Sequence, residues 1–421
     1  MRRIAVVGAS LAGLEAAVEL RRSGFAGELV IAGREAHMPY DRPPLSKEVL
    51  TGRMDDVAIR LVVDERLDAE WRLGVAATSL DADRRAIRFD RGGPEKFDGI
   101  VLATGATPRR PRLPGEANRA MAGIHVLRTV DDALALRGEL QRGPRRVVVV
   151  GAGFIGAEVA SSCRLLGLDV SVIEGLGAPM ESAVGPIVGA VLAELQRDHG
   201  VDLRLRTSLS GVSGSDRVEA VRLSDGDVLA ADVVMLAIGV TPATDWLAGS
   251  GLTVDQGVVC DESCLAAPGI VAAGDVARWP NRRFGEAARV EHWDNAARQG
   301  RHAARRLLLG DARAGFEAFE PVPWFWSDQF DSKLQLVGSA RNFEEFAVVF
   351  GSLESRRFVG AYRRSDRLIG AVALNAGKPL LGYRRLLARG ASWAEALSVR
   401  DGGGTREASD EVPLPPLAKV K

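Results

Sequence analysis

Residues 145–167 read RRVVVVGAGFIGAEVASSCRLLG. Four consecutive valines form a strand buried on both faces, a Gly151-x-Gly153-x-x-Gly156 turn follows, and an Ala-rich amphipathic helix closes at Gly167. Each glycine has its own task. Gly151 makes the tight turn, Gly153 lets the backbone approach a pyrophosphate, and Gly156 allows the helix to pack on the strand. The free N–H groups of the helix N-terminus then face the phosphates. The next strand, DVSVIEG (169–175), ends at Glu174, 18 residues after Gly156, where a carboxylate accepts a ribose 2′-OH. The same carboxylate repels a 2′-phosphate, and no Arg or Lys follows until Arg197, so NADH is expected over NADPH. A charged hydrogen bond of this kind is worth roughly 1.5–3 kcal/mol, about 10- to 150-fold in binding.

The same plan stands at the start of the chain. RRIAVVGASLAGLEAAVELRRSG (2–24) is again strand, glycine turn and helix, with ELVIAG (28–33) as its second strand. Here the turn is Gly8-x-Ser10-x-x-Gly13, and the acid is Glu35, 22 residues after Gly13, with Arg34 beside it. Two such units imply two dinucleotides; with NADH at the second, the first is most simply FAD. FDGIVLATGATP (97–108) reads as a buried strand ending in a turn at Thr104-Gly105, and ADVVMLAIGVTP (231–242) repeats that pattern up to Gly239. In APGIVAAGDVARW (267–279), Asp275 follows a buried strand and Gly274, a natural partner for ribityl hydroxyls or else an N-cap of the next segment.

TPRRPRLPGE (107–116) is Pro-rich and reads as a link between domains. A helix runs from about Asp294 to Gly310. From about Pro321 the texture changes to short strands at hairpin spacing and then a helical pattern over 379–397, an α+β domain. The polar, Gly/Pro-rich segment 401–421 is expected to be a mobile tail.

With 421 residues, two or three cores are expected. Lys+Arg and Asp+Glu are both 55, which argues against a nucleic-acid partner needing a basic excess. Three cysteines cannot make a disulfide framework for this length, so a cytoplasmic setting is expected. The longest apolar run, Ile4 to Leu14, is about half of a membrane span, so no membrane is expected. Cys163 lies in the helix after the second turn, and Cys260-x3-Cys264 has neither redox spacing nor a nearby His for metal. They read as ordinary thiols, with no metal site, and electrons are expected to leave the flavin for something other than a protein disulfide.

Beside the two glycine motifs stand MPYDRPPLSKE (38–48), LATGATPR (102–109), AAGDVA (272–277), EHWDNA (291–296) and PWFWSDQF (323–330). With these, the chain over about 2–395 resembles the oxygenase-coupled, NADH-dependent ferredoxin reductases. The resemblance implies an α/β, glutathione-reductase-like fold. Its FAD domain would be split between 1–108 and 243–318, with an NADH domain at 109–242 and a C-terminal α+β domain at 319–400 against the flavin.

Carried over residue by residue, the resemblance places Ala12, Glu35, Arg42, Lys47, Ala77, Arg128, Asp275 and Trp293 on FAD, Ala77 and Trp293 through backbone. Gly153, Ile155, Glu158, Glu174 and Gly239 would line NADH. Lys47 would sit near flavin N5 and pair with Glu158, beside the hydride transfer from nicotinamide to flavin; an ordinary salt bridge is the alternative. Single electrons would pass to a [2Fe–2S] ferredoxin serving a cytochrome P450 or ring-hydroxylating dioxygenase. Asp294 or Asn295 would start the helix aimed at the flavin pyrimidine. Trp326 would lie at the exposed flavin edge, and Arg298, Arg301, Arg305 and Arg306, at near-helical spacing, would either greet an acidic ferredoxin or form a solvated face. A monomer or weak dimer is expected. Two other readings of the fold stay open: an oxidase or peroxidase, which needs a cysteine near Ser46-Lys47 that this chain lacks, and a signalling flavoprotein like apoptosis-inducing factor.

Overall fold

A computed structural model describes residues 1–115, 121–143, 145–310 and 317–399. The expected tail at 401–421 lies outside these residues. Seven α-helices are found among them: α1 (Leu11–Arg22), α2 (Val130–Gln141), α3 (Phe154–Leu165), α4 (Glu181–Asp198), α5 (Trp293–Leu308), α6 (Gly377–Arg389) and α7 (Trp393–Ser398).

Both glycine-turn units sit at the centre of a sheet. Strand Arg3–Val7 pairs in parallel with Glu28–Gly33 on one side and Gly99–Leu102 on the other. Ile270–Ala272 then joins Gly99–Leu102 in parallel, so one six-stranded sheet draws on two distant stretches of chain. Its strands read as unbroken apolar runs because both faces are covered, one by the packed pair α1 and α5. The second sheet has five parallel strands in the order Asp202–Leu205, Asp169–Glu174, Arg146–Val150, Val233–Leu236, Ile124–His125. The chain passes between the sheets twice, and the two passages, Ala106–Pro108 and Val240–Pro242, pair antiparallel as a short ribbon.

The third sheet is antiparallel, in the order Trp324–Gln329, Ser332–Gly338, Arg367–Leu374, Arg357–Arg364, Glu345–Ser352. Successive residues of a strand point to opposite faces, and here both faces are buried. Phe358 and Tyr362 pack toward α4, with the Tyr362 hydroxyl donating to the Val184 carbonyl at 2.7 Å. Val359 and Ala361 face Leu380, Tyr383 and Leu387 of α6. Each large side chain buried this way contributes about 1.5–3 kcal/mol, which fixes the third sheet on the second unit. The single helical pattern expected over 379–397 is two helices. Gly390 adopts a left-handed conformation (φ 72°) that ends α6, and Ser392 with Glu395 forms a capping box that starts α7.

Candidate functional site

A cavity of about 570 Å³ opens where the three units meet. The first glycine turn, Lys47, Glu158, Asp275, Trp293 and Trp326 all line it.

The two turns are built alike. Gly8 (φ 124°) and Gly151 (φ 98°) hold conformations that side-chain-bearing residues rarely adopt. A Cβ on Gly13 would lie 1.8 Å from the Gly8 carbonyl oxygen, and one on Gly156 would lie 1.9 Å from that of Gly151. Those contacts let each helix start directly over its strand. Neither α1 nor α3 has a side-chain cap or an acidic residue in its first turn, so their leading N–H groups are left for an anion.

Around the first turn the walls close. The Arg42 guanidinium donates to Glu35 at 2.6 Å and to the Arg128 carbonyl, and its Nε reaches Ser10 Oγ at 3.4 Å. Tyr40 donates its hydroxyl to the other oxygen of Glu35, and burial pushes that phenol above its ordinary pKa. Arg128 pairs with Asp275 at 2.6 Å, and Trp293 Nε1 donates to Asp41 at 2.8 Å. Two buried polar atoms of the lining, His292 Nδ1 and Trp246 Nε1, have no hydrogen-bond partner. Burial pushes the His292 imidazole down to about 4, so it stays neutral near pH 7. A long crevice with a phosphate-ready helix start, a cationic wall and unsatisfied donors fits a dinucleotide such as FAD.

At the junction of the units sits one buried carboxylate, Glu158 on α3. Lys47 Nζ lies 3.0 Å from Oε2, and the Ser46 hydroxyl donates to the same oxygen at 2.5 Å. Ser327, on the strand next to Trp326, donates to Oε1 at 2.8 Å. The first and third units therefore both place donors on one side chain of the second, which is 4% exposed.

Of the remaining residues expected on FAD, Ala12, Ala77, Thr104 and Gly105 line the cavity, as does Ile155 on the NADH side. Thr104 Oγ1 donates to the Ala243 carbonyl, tying the turn to the returning chain. Gly153 and Gly239 face open space. Glu174, at the end of its strand, accepts the backbone N–H groups of Ala152 at 2.7 Å and Leu176 at 2.9 Å, and stands outside the cavity.

Several expectations are corrected. Helix α5 starts at Trp293, capped by the extended backbone of His292 (φ −114°), and Asp294 falls inside its first turn. The arginine row on α5 is divided: Arg298 and Arg305 are exposed, Arg301 is half-buried and Arg306 is buried. Arg301 pairs with Glu15 at 2.6 Å and Arg305 with Glu19 at 2.9 Å, stitching α5 to α1, while Arg306 is buried and donates to Ser263. Asp275 caps nothing, since its carboxylate is taken by Arg128. Tyr40, Asp41, Ser46, Trp246, His292 and Ser327 were not singled out from the sequence. All but Trp246 lie inside the motifs 38–48, 291–296 and 323–330, yet only the fold shows which side chains of those motifs reach the site.

Cys163, Cys260 and Cys264 are buried and none lines the cavity. Burial pushes the Cys163 and Cys264 thiols up to about 12, which leaves them without thiolate character. Among the described residues no group of His, Cys, Asp and Glu is placed to hold a metal, and no helix is long and apolar enough to cross a membrane.

Residues 2–300 match the family model described as pyridine nucleotide-disulphide oxidoreductase. The chain belongs to that family. Residues 324–402 match a second model, the reductase C-terminal domain, which takes in the strand bearing Trp324, Trp326 and Ser327. Rhodocoxin reductase of Rhodococcus erythropolis is 36% identical over 91% of this chain and 89% of its own length. The ferredoxin–NAD(+) reductase component of the p-cumate 2,3-dioxygenase system of Pseudomonas putida is 35% identical over 91% and 92%. Among solved structures, the covalent putidaredoxin reductase–putidaredoxin complex superposes with a TM-score of 0.88 at 29% identity, covering 96% of this chain and 99% of that one. Members of this family work with a flavin and a nicotinamide dinucleotide, and the cavity and the second turn provide for both.

Proposed function

We propose that this protein is an FAD-containing NADH:ferredoxin oxidoreductase that supplies single electrons to a [2Fe–2S] ferredoxin, and through it to a cytochrome P450 or a ring-hydroxylating oxygenase. The observation that carries the reading is the Lys47–Glu158 pair. It is buried where two dinucleotide turns converge, with Trp326 at the cavity edge and no cysteine in the lining. FAD, when bound, accepts a hydride from NADH and releases electrons one at a time, so it can join a two-electron donor to a one-electron carrier.

The chain's residues divide the work. Gly8, Ser10, Ala12 and Gly13 with the start of α1 take the FAD pyrophosphate, Glu35 and Arg42 form the ribose end, and Thr104, Gly105, Arg128 and Asp275 hold the middle. Ala77 and Trp293 close the walls. Lys47, held by Glu158, keeps a cation beside the reacting edge. Gly151, Gly153, Ile155, Gly156, Glu174 and Gly239 receive NADH. The division into an FAD domain (1–108 and 243–318), an NADH domain (109–242) and a C-terminal domain (319–400) agrees with which residues build each sheet. Trp326 is the exit for electrons. Arg384, whose guanidinium lies 5.9 Å from the ring centre of Trp324 and 3.7 Å from Asp294, joins Arg301 as a cation of the docking edge.

The test is cytochrome c reduction by NADH with the purified protein and a [2Fe–2S] ferredoxin. The rate should rise in proportion to ferredoxin. An equal rate of NADH oxidation without ferredoxin, with oxygen as acceptor, would overturn the assignment.

A further inference from the structure

Along the sequence no Arg or Lys follows Glu174 until Arg197. In space a cation is present. Strand Asp202–Leu205 runs parallel to Asp169–Glu174, with Leu205 in register with Glu174, so Arg206 follows beside Gly175. Its backbone is tied to the same loop. Arg206 N donates to the Leu176 carbonyl and Thr207 N to that of Glu174, both at 3.0 Å. These bonds hold Arg206 at a left-handed φ of 55°, uncommon for a residue with a side chain.

The guanidinium reaches over the loop that follows Glu174. A Cβ on Gly177 would meet Arg206 Nη2 at 3.1 Å, so glycine at that position leaves the room the guanidinium uses. Glu181 Oε2 lies 3.0 Å from the same point on the α4 side, yet no ion pair or hydrogen bond engages the Arg206 side chain among the described residues. Arg206 is exposed, whereas its neighbour Arg204 pairs with Asp202 and Asp227. The carboxylate of Glu174, which would repel a 2′-phosphate, already accepts two backbone N–H groups.

We propose that Arg206 is a specificity-determining residue that admits a 2′-phosphorylated nicotinamide dinucleotide, so that NADPH serves as a second hydride donor beside NADH. The inference rests on the placement of the adenosine ribose at Glu174 that the proposed function implies. The reaction is otherwise the same, because the phosphate lies on the adenosine ribose, remote from the transferred hydride. A guanidinium suits this task because it is always charged and presents paired donors to phosphate.

The experiment measures kcat/KM for NADH and NADPH in the parent holoenzyme, Arg206→Gln and Glu174→Gln, together with competitive inhibition by 2′,5′-ADP and by ADP. The parent should use NADPH measurably. Arg206→Gln should lower kcat/KM for NADPH about tenfold, equivalent to ~1.4 kcal/mol, leave NADH within about twofold, and weaken 2′,5′-ADP but not ADP. Equal losses for both donors would make Arg206 a general contact to adenine or pyrophosphate and overturn the proposal, as would no change in either. A Glu174→Gln variant with the parent's NADH/NADPH ratio would instead overturn the placement of the ribose, which separates that failure from failure of Arg206 alone.

Discussion

The two glycine turns share one backbone and differ in what surrounds them. At the first, the acid Glu35 is gripped by the side chains of Arg42 and Tyr40, and the Arg128–Asp275 and Trp293–Asp41 pairs close the walls. At the second, the acid Glu174 is held by backbone N–H groups alone, and Gly153 faces open space where the first turn has Ser10. The scaffold therefore provides phosphate binding in both, while the walls decide how long a ligand stays. A closed site retains a cofactor and an open one exchanges a substrate, which is the division an FAD enzyme oxidising NADH requires.

The strongest way to break the comparison is to block each turn in the same manner. Gly13→Ala and Gly156→Ala each force a Cβ within 2 Å of a carbonyl oxygen. The first should yield colourless protein on gel filtration, and the second yellow protein whose reduction by NADH falls more than about a hundredfold, over ~2.7 kcal/mol. If Gly156→Ala also lost its flavin, the two sites would not be independent.

Next in size is the junction. Lys47→Ala strands Glu158 with only the two serine donors, and flavin reduction should slow about 10- to 100-fold, ~1.4–2.8 kcal/mol. FAD content should change little; loss of FAD with normal reduction would make Lys47 a binding residue only. Smaller again, Glu174→Ala should erode the NADH preference by about tenfold, within the range for a charged hydrogen bond. Steady-state rates with both donors read this, and an unchanged ratio contradicts the role given to Glu174.

The smallest effect follows from His292, which lines the first site only. Its folded pKa of about 4 lies below the ordinary 6.5 because the ring is buried. The unfolded chain therefore takes up the proton first, so this contribution to stability is complete above about pH 6.5 and is lost toward pH 4. Asp275 favours the charged ring and Arg341 opposes it, and neither reverses the direction. Melting followed by flavin fluorescence should fall by a few degrees between pH 7 and pH 5, and His292→Asn should flatten that slope. An unchanged slope would place the acid sensitivity elsewhere.

The sequence made both turns legible because strand, glycine spacing and helix are local signals, and periodicity alone placed the third sheet. The Lys47–Glu158 pair came from family resemblance, since 111 residues separate its partners. Three features escaped for one physical reason, that they join side chains across units. Ser327 meets Glu158 only when the third sheet docks, Arg301 meets Glu15 only when α5 packs on α1, and Arg206 meets the Glu174 loop only through strand register. Charge spacing along a helix could not reveal that its arginines were already paired with another helix.

The most direct test of the account is an anaerobic single-turnover experiment. The yellow protein is bleached by one equivalent of NADH and then mixed with oxidised [2Fe–2S] ferredoxin. The account predicts rapid bleaching, followed by return of the flavin colour at the rate at which two equivalents of ferredoxin are reduced. Bleaching that persists in ferredoxin and reverses only in air would contradict it.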